Sequence, residues 1–158
     1  WEFRKPCVVF SPKSLLRHPK VVSPLEDFKK GNFQEVIGDD YVTNKNVKKV
    51  LLCTGKMYFD LLEEQQKKKV KDIAIVRLEQ LYPFPKKQIE QILKKYNNPK
   101  VVWVQEEPEN MGAWSFMLRV SGLDLTLISR RASASPATGY SKVHKEEQAE
   151  IVKKAFEK

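Results

Sequence analysis

Val47-Lys48-Lys49-Val50-Leu51-Leu52-Cys53-Thr54-Gly55 contains an unbroken apolar run closed by a glycine. A strand with one face in water alternates apolar and polar residues. An unbroken run suits a strand covered on both faces, as in a parallel sheet. The pattern returns in Ile73-Ala74-Ile75-Val76-Arg77-Leu78 and in Val101-Val102-Trp103-Val104, and Leu125-Thr126-Leu127-Ile128 reads as a fourth strand. Helical stretches separate them. Met57, Phe59, Leu61, Leu62 and Val70 punctuate a Glu/Lys-rich segment. Pro83 and Pro85 open a second helix with Ile89, Ile92, Leu93 and Tyr96 as its apolar positions, and Asn97-Asn98-Pro99 stops it. A short helix follows Gly112, and a closing helix runs from His144 to Phe156. Strand–helix alternation of this kind predicts a three-layer α/β/α domain with a mainly parallel sheet, spanning residues 47–158.

Upstream of this domain, residues 1–46 read as irregular. Pro6, Pro12, Pro19 and Pro24 keep the stretch extended. Val8-Val9-Phe10 is expected to be the end of a strand that began earlier, and Phe33 to Asp39 to be an edge strand. The chain opens at Trp1 without a methionine or a leader pattern, so it reads as a cut inside a longer protein.

The 158 residues suit one ordinary domain, and 41% hydrophobic residues suffice for a core. Charged residues make up 31%, and no apolar run reaches the roughly 18–20 residues of a membrane span. Lys and Arg number 29 against 20 Asp and Glu, a net +9. That balance suits an acidic partner or a phosphorylated ligand. Nucleic acid is not expected as a partner, because no aromatics are interleaved with the basic residues. The lysines Lys67-Lys68-Lys69 read as a solvated helix end. Cys53, inside its apolar run, reads as a small buried hydrophobe. Cys7, Cys53, His18 and His144 give no metal-ligand spacing.

Ligands of open α/β sheets sit beyond the carboxyl ends of the strands, so the residues there are the candidates. Gly55-Lys56 at a helix start could hold a phosphate, but it lacks the other residues of a P-loop, and no GxGxxG follows any strand. Glu106 and Glu107 are a possible acid–base pair, weakened because neighbours on a strand point to opposite sides. Glu107 and Asn110 read better as caps or as partners for nearby arginines. Ser133, Ser135 and Thr138 have no histidine at a telling spacing for nucleophilic catalysis. The small-residue run 132–139 reads as a close-packed loop, and Trp114 and Phe116 as anchors of the same surface. The loop after Trp103 should pack near the loop after Arg130, with Arg130 or Arg131 meeting Glu106, Glu107 or Glu109.

Four motifs then stand in order: Lys13-Ser14-Leu15-Leu16-Arg17-His18-Pro19, Arg77-Leu78-Glu79-Gln80-Leu81-Tyr82-Pro83-Phe84-Pro85, Trp103-Val104-Gln105-Glu106-Glu107-Pro108-Glu109-Asn110-Met111-Gly112-Ala113-Trp114 and Arg131-Ala132-Ser133-Ala134-Ser135-Pro136-Ala137-Thr138-Gly139. Together they resemble the C-terminal end of the thiamine-diphosphate-dependent first component of the 2-oxoglutarate dehydrogenase complex, over nearly the whole chain. The resemblance implies a transketolase-like C-terminal domain, preceded in residues 1–46 by the end of a pyrimidine-binding domain and a linker. It implies a homodimeric parent that decarboxylates 2-oxoglutarate on thiamine diphosphate and magnesium. That parent passes the succinyl group to the lipoyl arm of a dihydrolipoyl succinyltransferase core, in a bacterial cytoplasm or a mitochondrial matrix. The family's catalytic, cofactor and metal residues lie upstream, so none is expected here, and the fragment alone is expected to be inactive. Some actinobacterial members bind acetyl-CoA beside this domain. The matching stretch holds Gln80, and then Lys86, Lys87 and Gln88 where those members are arginine-rich, with Asn32 and Glu35 also departing, which tells against acetyl-CoA control. The segment between Trp114 and Ile128 is short for the family. Lys56, Arg77, Gln80 and Lys87 are therefore candidate anion or allosteric residues, and Glu107, Trp114, Arg130, Arg131, Ser133 and Ser135 candidate loop or interface residues. The competing reading is a stand-alone binding module for an anionic, nucleotide-like ligand, held by Lys56, Arg77, Arg130 and Arg131.

Overall fold

The structure is a computed structural model that describes residues 4–43, 45–97 and 99–157. The chain divides into two compact units, residues 1–32 and 33–158. In the first, the described residues hold a 3-10 turn at Lys13–Arg17 and a short helix α1 at Leu25–Lys30, and no residue is buried. The sequence reading had no helix here. Pro24 sets the extended cap of α1, and Glu26 and Asp27 occupy its first turn, where a helix favours acids. Val8, Val9 and Phe10 lie outside any strand.

In the second unit, strands β1 (Val36–Ile37), β2 (Lys49–Cys53), β3 (Ile73–Leu78), β4 (Lys100–Pro108) and β5 (Leu125–Arg130) form one sheet in the order β1-β3-β2-β4-β5. The last four are parallel, and β1 is an antiparallel edge paired Val36 to Leu78 and Ile37 to Arg77. Helices α2 (Met57–Lys67), α3 (Lys86–Leu93), α4 (Trp114–Val120) and α5 (Ser141–Ala155) complete it. The expected three layers are present. The compact unit begins at Phe33 rather than Val47, because β1 and the turn after it belong to the sheet. Asp39 accepts from the backbone N–H of Tyr41, Val42 and Ile75, and from the Gln65 amide, so it caps the edge of β3 where β1 has ended.

The period of two explains the unbroken apolar runs. Val50 and Leu52, Ala74 and Val76, and Val101 and Trp103 fill the core under α3 and α4. Leu51 and Cys53, Ile73 and Ile75, and Val102 and Val104 fill the core under α2 and α5. Helix boundaries shift where capping decides them. Helix α3 starts after Pro85 and ends at Leu93, so Tyr96 is buried from the loop beyond it. Helix α5 begins at Ser141, three residues ahead of the expected start, from an extended Tyr140. Helix α2 closes through Lys69 in the left-handed region (φ 53), with Val70 N–H donating to Gln65 O at 3.0 Å. No helix among the described residues is long and apolar enough to cross a membrane.

Candidate functional site

Strand order reverses between β2 and β4, and this switch point is where open α/β sheets seat ligands. Here it is filled by the protein's own charges. Lys56, just past β2, pairs with Glu106 of β4 at 2.8 Å and with Asp60, one turn along α2, at 3.7 Å. Asp60 also accepts from the Gln148 amide of α5 at 2.6 Å. With its side chain 19% exposed, Lys56 is an internal brace between two strands and two helices rather than a free phosphate hook.

The other sequence-named cations are engaged in the same manner. Arg77, at the end of β3, pairs with Glu79 at 2.7 Å and lies over the Tyr58 ring at 4.6 Å. Arg130, 12% exposed, donates to the Glu106 carbonyl, to Thr138 Oγ1 at 2.9 Å and to Pro136 O at 2.7 Å. Its carboxylate is Glu147 of α5 at 3.6 Å, to which Thr138 also donates. The expected arginine–glutamate contact therefore forms through the Glu106 backbone, and the charge partner comes from α5. The Glu106 carboxylate is taken by Lys56. Glu107 is exposed and meets neither arginine, and Asn110 serves the loop instead. Arg131 is exposed near Glu150, whose carboxyl is held below its ordinary range by Lys154 first and by Arg131 to a lesser degree.

The two expected loops do meet. Asn110 brackets Ser133, accepting its N–H at 3.1 Å and donating to its carbonyl at 3.0 Å, and Glu109 N–H donates to Arg130 O. Ser133 Oγ accepts the Ser135 N–H at 3.1 Å, and Ser135 Oγ donates to Ala137 O at 2.7 Å. Residues 132–137 are thus tied at every turn yet exposed. They do not finish this unit's own core. Trp114 starts α4 and is half-buried against the α3–α4 core, as is Phe116. Gln80 donates its amide to Pro83 O at 2.8 Å, and Lys87 is exposed on the first turn of α3. These two do not join the Lys56 and Arg130 networks through any hydrogen bond or ion pair.

Gln105 is the residue that sequence reasoning passed over. Its side chain is buried on the Trp103 face of β4, accepts the Trp103 indole N–H at 2.8 Å, and donates to Pro108 O at 3.0 Å and Met111 O at 2.8 Å. Gly112 (φ 67) passes so close that a Cβ there would meet Gln105 at 3.0 Å. Gln105 folds the 105–112 loop back on its own strand, which places Asn110 against Ser133. Burial pushes the Cys53 thiol far above its ordinary range, so it is inert. Among the described residues no group of three or more His, Cys, Asp or Glu is placed to hold a metal ion.

The family model described as 2-oxoglutarate dehydrogenase C-terminal matches residues 22–156. The chain belongs to this family. It is 46% identical over 164 residues to the 2-oxoglutarate dehydrogenase E1 component of Cupriavidus necator, covering 99% of this chain and 17% of that protein. It is 46% identical over 166 residues to the mitochondrial 2-oxoglutarate dehydrogenase of Caenorhabditis elegans, covering 98% of this chain and 16% of that protein. A 2-oxoadipate dehydrogenase complex component E1 of mouse is 43% identical over 162 residues, covering 98% and 18%. The chain thus spans about a sixth of the length of the curated relatives it matches.

Proposed function

We propose that this chain is the C-terminal part of a 2-oxoglutarate dehydrogenase first component, and that its own task there is assembly. The parent decarboxylates 2-oxoglutarate and transfers succinyl to the lipoyl group of a succinyltransferase core. 2-Oxoglutarate is taken as the parent's substrate because the relatives at 46% identity carry that name. The observation that carries the assembly role is the 132–137 segment, rich in small residues, braced by Asn110 and Arg130, and exposed. A loop ordered internally but left uncovered is pre-organised for contact, since little ordering entropy remains to be lost on docking. Residues 1–32, the first compact unit, are assigned to the end of a preceding pyrimidine-binding domain and a linker, and residues 33–46, which carry β1 and Asp39, go with the sheet.

The family implies thiamine diphosphate and magnesium, and the residues present do not fit them. Lys56, Arg77 and Arg130 are committed to Glu106, Glu79 and Glu147, so none of the three is free to hold a diphosphate. The same commitment weakens the stand-alone anion-binding reading.

Two measurements test the proposal. The isolated chain, given 2-oxoglutarate, thiamine diphosphate and magnesium, should show no turnover. In the parent, Ala134→Glu should break subunit assembly and lower activity, while leaving the thermal stability of the isolated chain unchanged. Turnover by the chain alone, or an Ala134→Glu parent that assembles and works normally, overturns it.

A further inference from the structure

The connections that enter the sheet carry a charge equal to the molecule's whole net positive charge. Residues 45–49, 67–72 and 94–100 hold ten lysines and a single carboxylate, Asp72. Their sum of +9 equals the net charge of the entire chain, so the remainder balances to zero. Parallel pairing brings these three stretches to one end of the sheet. Lys49 stands in register with both Ile73 and Lys100, and Lys48 N–H donates to Asp72 O while Lys100 N–H donates to Lys48 O. The fourth entering connection, residues 121–124, adds only Asp124.

Lys49 donates to Ala155 O and Glu157 O, and Lys71 to Tyr41 O. Asp72 reaches Lys48 at 4.0 Å, and Glu64 takes Lys68 at 2.8 Å. Among the described residues no carboxylate lies within ion-pair reach of Lys67, Lys69, Lys94, Lys95 or Lys100. Lys45, Lys94 and Lys95 line a hollow of about 630 Å³ with Tyr96, Asn97 and one acid, Glu90. The Lys49 ammonium is lowered from its ordinary range, first by burial and then by Lys100.

We propose that this amino end of the sheet docks an acidic segment of a partner protein, one that presents clustered Asp and Glu side chains. The chemistry of the patch selects that partner. Every cation is a lysine, a mobile point charge suited to scattered carboxylates, and no arginine fork is present for bidentate phosphate or guanine recognition. The one ring in the hollow, Tyr96, is 8% exposed and offers no stacking platform for a base. The three stretches carry no exposed large apolar side chain to enter a lipid surface. The surface lies at the opposite end of the strands from the 132–137 loop, so it is a second contact beyond the assembly role.

The test is fluorescence anisotropy of a labelled polyglutamate peptide with the 158-residue chain, at about 50 and about 200 mM salt. Lys94→Glu/Lys95→Glu/Lys100→Glu is compared with Lys87→Glu/Lys142→Glu/Lys145→Glu, which makes the same change of net charge near the starts of α3 and α5. The amino-end triple variant should weaken binding at least about tenfold and the control less than about twofold, with the wild-type affinity falling steeply at the higher salt. Lys69→Gly, which relieves backbone strain, should stay folded and still bind about two- to threefold more weakly. Should the triple variant fail to fold by circular dichroism, Lys94→Gln/Lys95→Gln and Lys69→Gly carry the comparison. Equal losses in the two triple variants overturn the proposal, as does the absence of saturable binding at low salt. So does displacement of the peptide by a single-stranded oligonucleotide or by phosphatidylglycerol vesicles at lower charge concentration.

Discussion

The two ends of the sheet handle charge in opposite ways. At the carboxyl ends, Lys56 answers Glu106, Arg77 answers Glu79 and Arg130 answers Glu147, each with its side chain at most 22% exposed. At the amino ends Lys67, Lys69, Lys94, Lys95 and Lys100 have no carboxylate within ion-pair reach among the described residues, and the ion pairs that do form there, Lys48 with Asp72 and Lys68 with Glu64, lie at the surface. The first arrangement spends its charge on internal geometry. Lys56 with Glu106 and Arg130 with Glu147 each tie one element to another, and the product is a loop held in one shape. The second leaves its charge in solution, where it acts at a distance and is screened by salt. Positive charge on a protein is therefore not one property: partly buried and paired it is structure, exposed and unpaired it is available for recognition.

The contrast can be broken most severely at Gln105. Gln105→Ala should lower the free energy of unfolding by about 3 kcal/mol, since it orphans the Trp103 indole N–H and two loop carbonyls and leaves a cavity. Urea denaturation reads it, and a loss below about 1 kcal/mol would show that the carboxyl-end loop is held by something else.

Arg130→Ala should lose about 2 kcal/mol. That is less than a fully buried pair would lose, because Glu147 is 37% exposed and reaches water once abandoned. Limited proteolysis should then cut within 132–139 faster than it does in the wild type. Arg130→Ala without new cleavage would mean that Asn110 alone orders the loop.

The pH dependence should have opposite signs at the two ends. The folded Cys53 thiol is raised by burial, so above about pH 9 the unfolded chain gives up a proton that the folded chain keeps. Stability then falls, at a slope approaching about 1.4 kcal/mol per pH unit, and Cys53→Ala should remove that slope. Lys49 is lowered in the folded state, so as pH rises towards 10.5 the folded chain loses its proton first and the unfolded chain holds more. That contribution raises stability with pH, and Lys49→Met should abolish it. Denaturation between about pH 8 and 10.5 on the two variants separates the terms, and slopes of the same sign would refute the assignment.

The smallest expected effect belongs to Lys69. Replacing it with glycine relieves a left-handed backbone (φ 53) and should raise stability by roughly 0.5–1 kcal/mol, read as a higher melting temperature. No gain would mean that the lysine stem makes a packing contribution of its own.

Much of the fold was legible in the residues. Apolar periodicity is local, so Val50 to Cys53 and Ile73 to Val76 announce a sheet covered on both faces without any knowledge of what covers it. Family motifs such as Trp103 to Trp114 likewise need no coordinates. The edges of the domain were less legible. A two-residue strand such as Val36–Ile37 carries little periodicity, and the anchoring of its neighbour Asp39 on Ile75 is a long-range contact. Helix α1 was missed because six residues between prolines and glycine show no full amphipathic turn pattern.

The candidate site divides along the same line. Composition and spacing named Lys56, Arg77, Arg130, Glu107, Ser133 and Ser135 as the chemically interesting residues, because side-chain type is written in the chain. Which acid meets which base is not. Glu147 reaches Arg130 only because α5 packs back across the sheet, and Glu106 turns to Lys56 only because β4 lies beside β2. The +9 was visible from the start, but its collection at one end required three connections, distant in sequence, to enter a parallel sheet side by side. The sequence by itself determined which segments would be buried, since the hydrophobic effect acts on each segment's own pattern. The tertiary structure alone decided how the charges pair, since Coulomb attraction falls with distance and only strand register sets those distances.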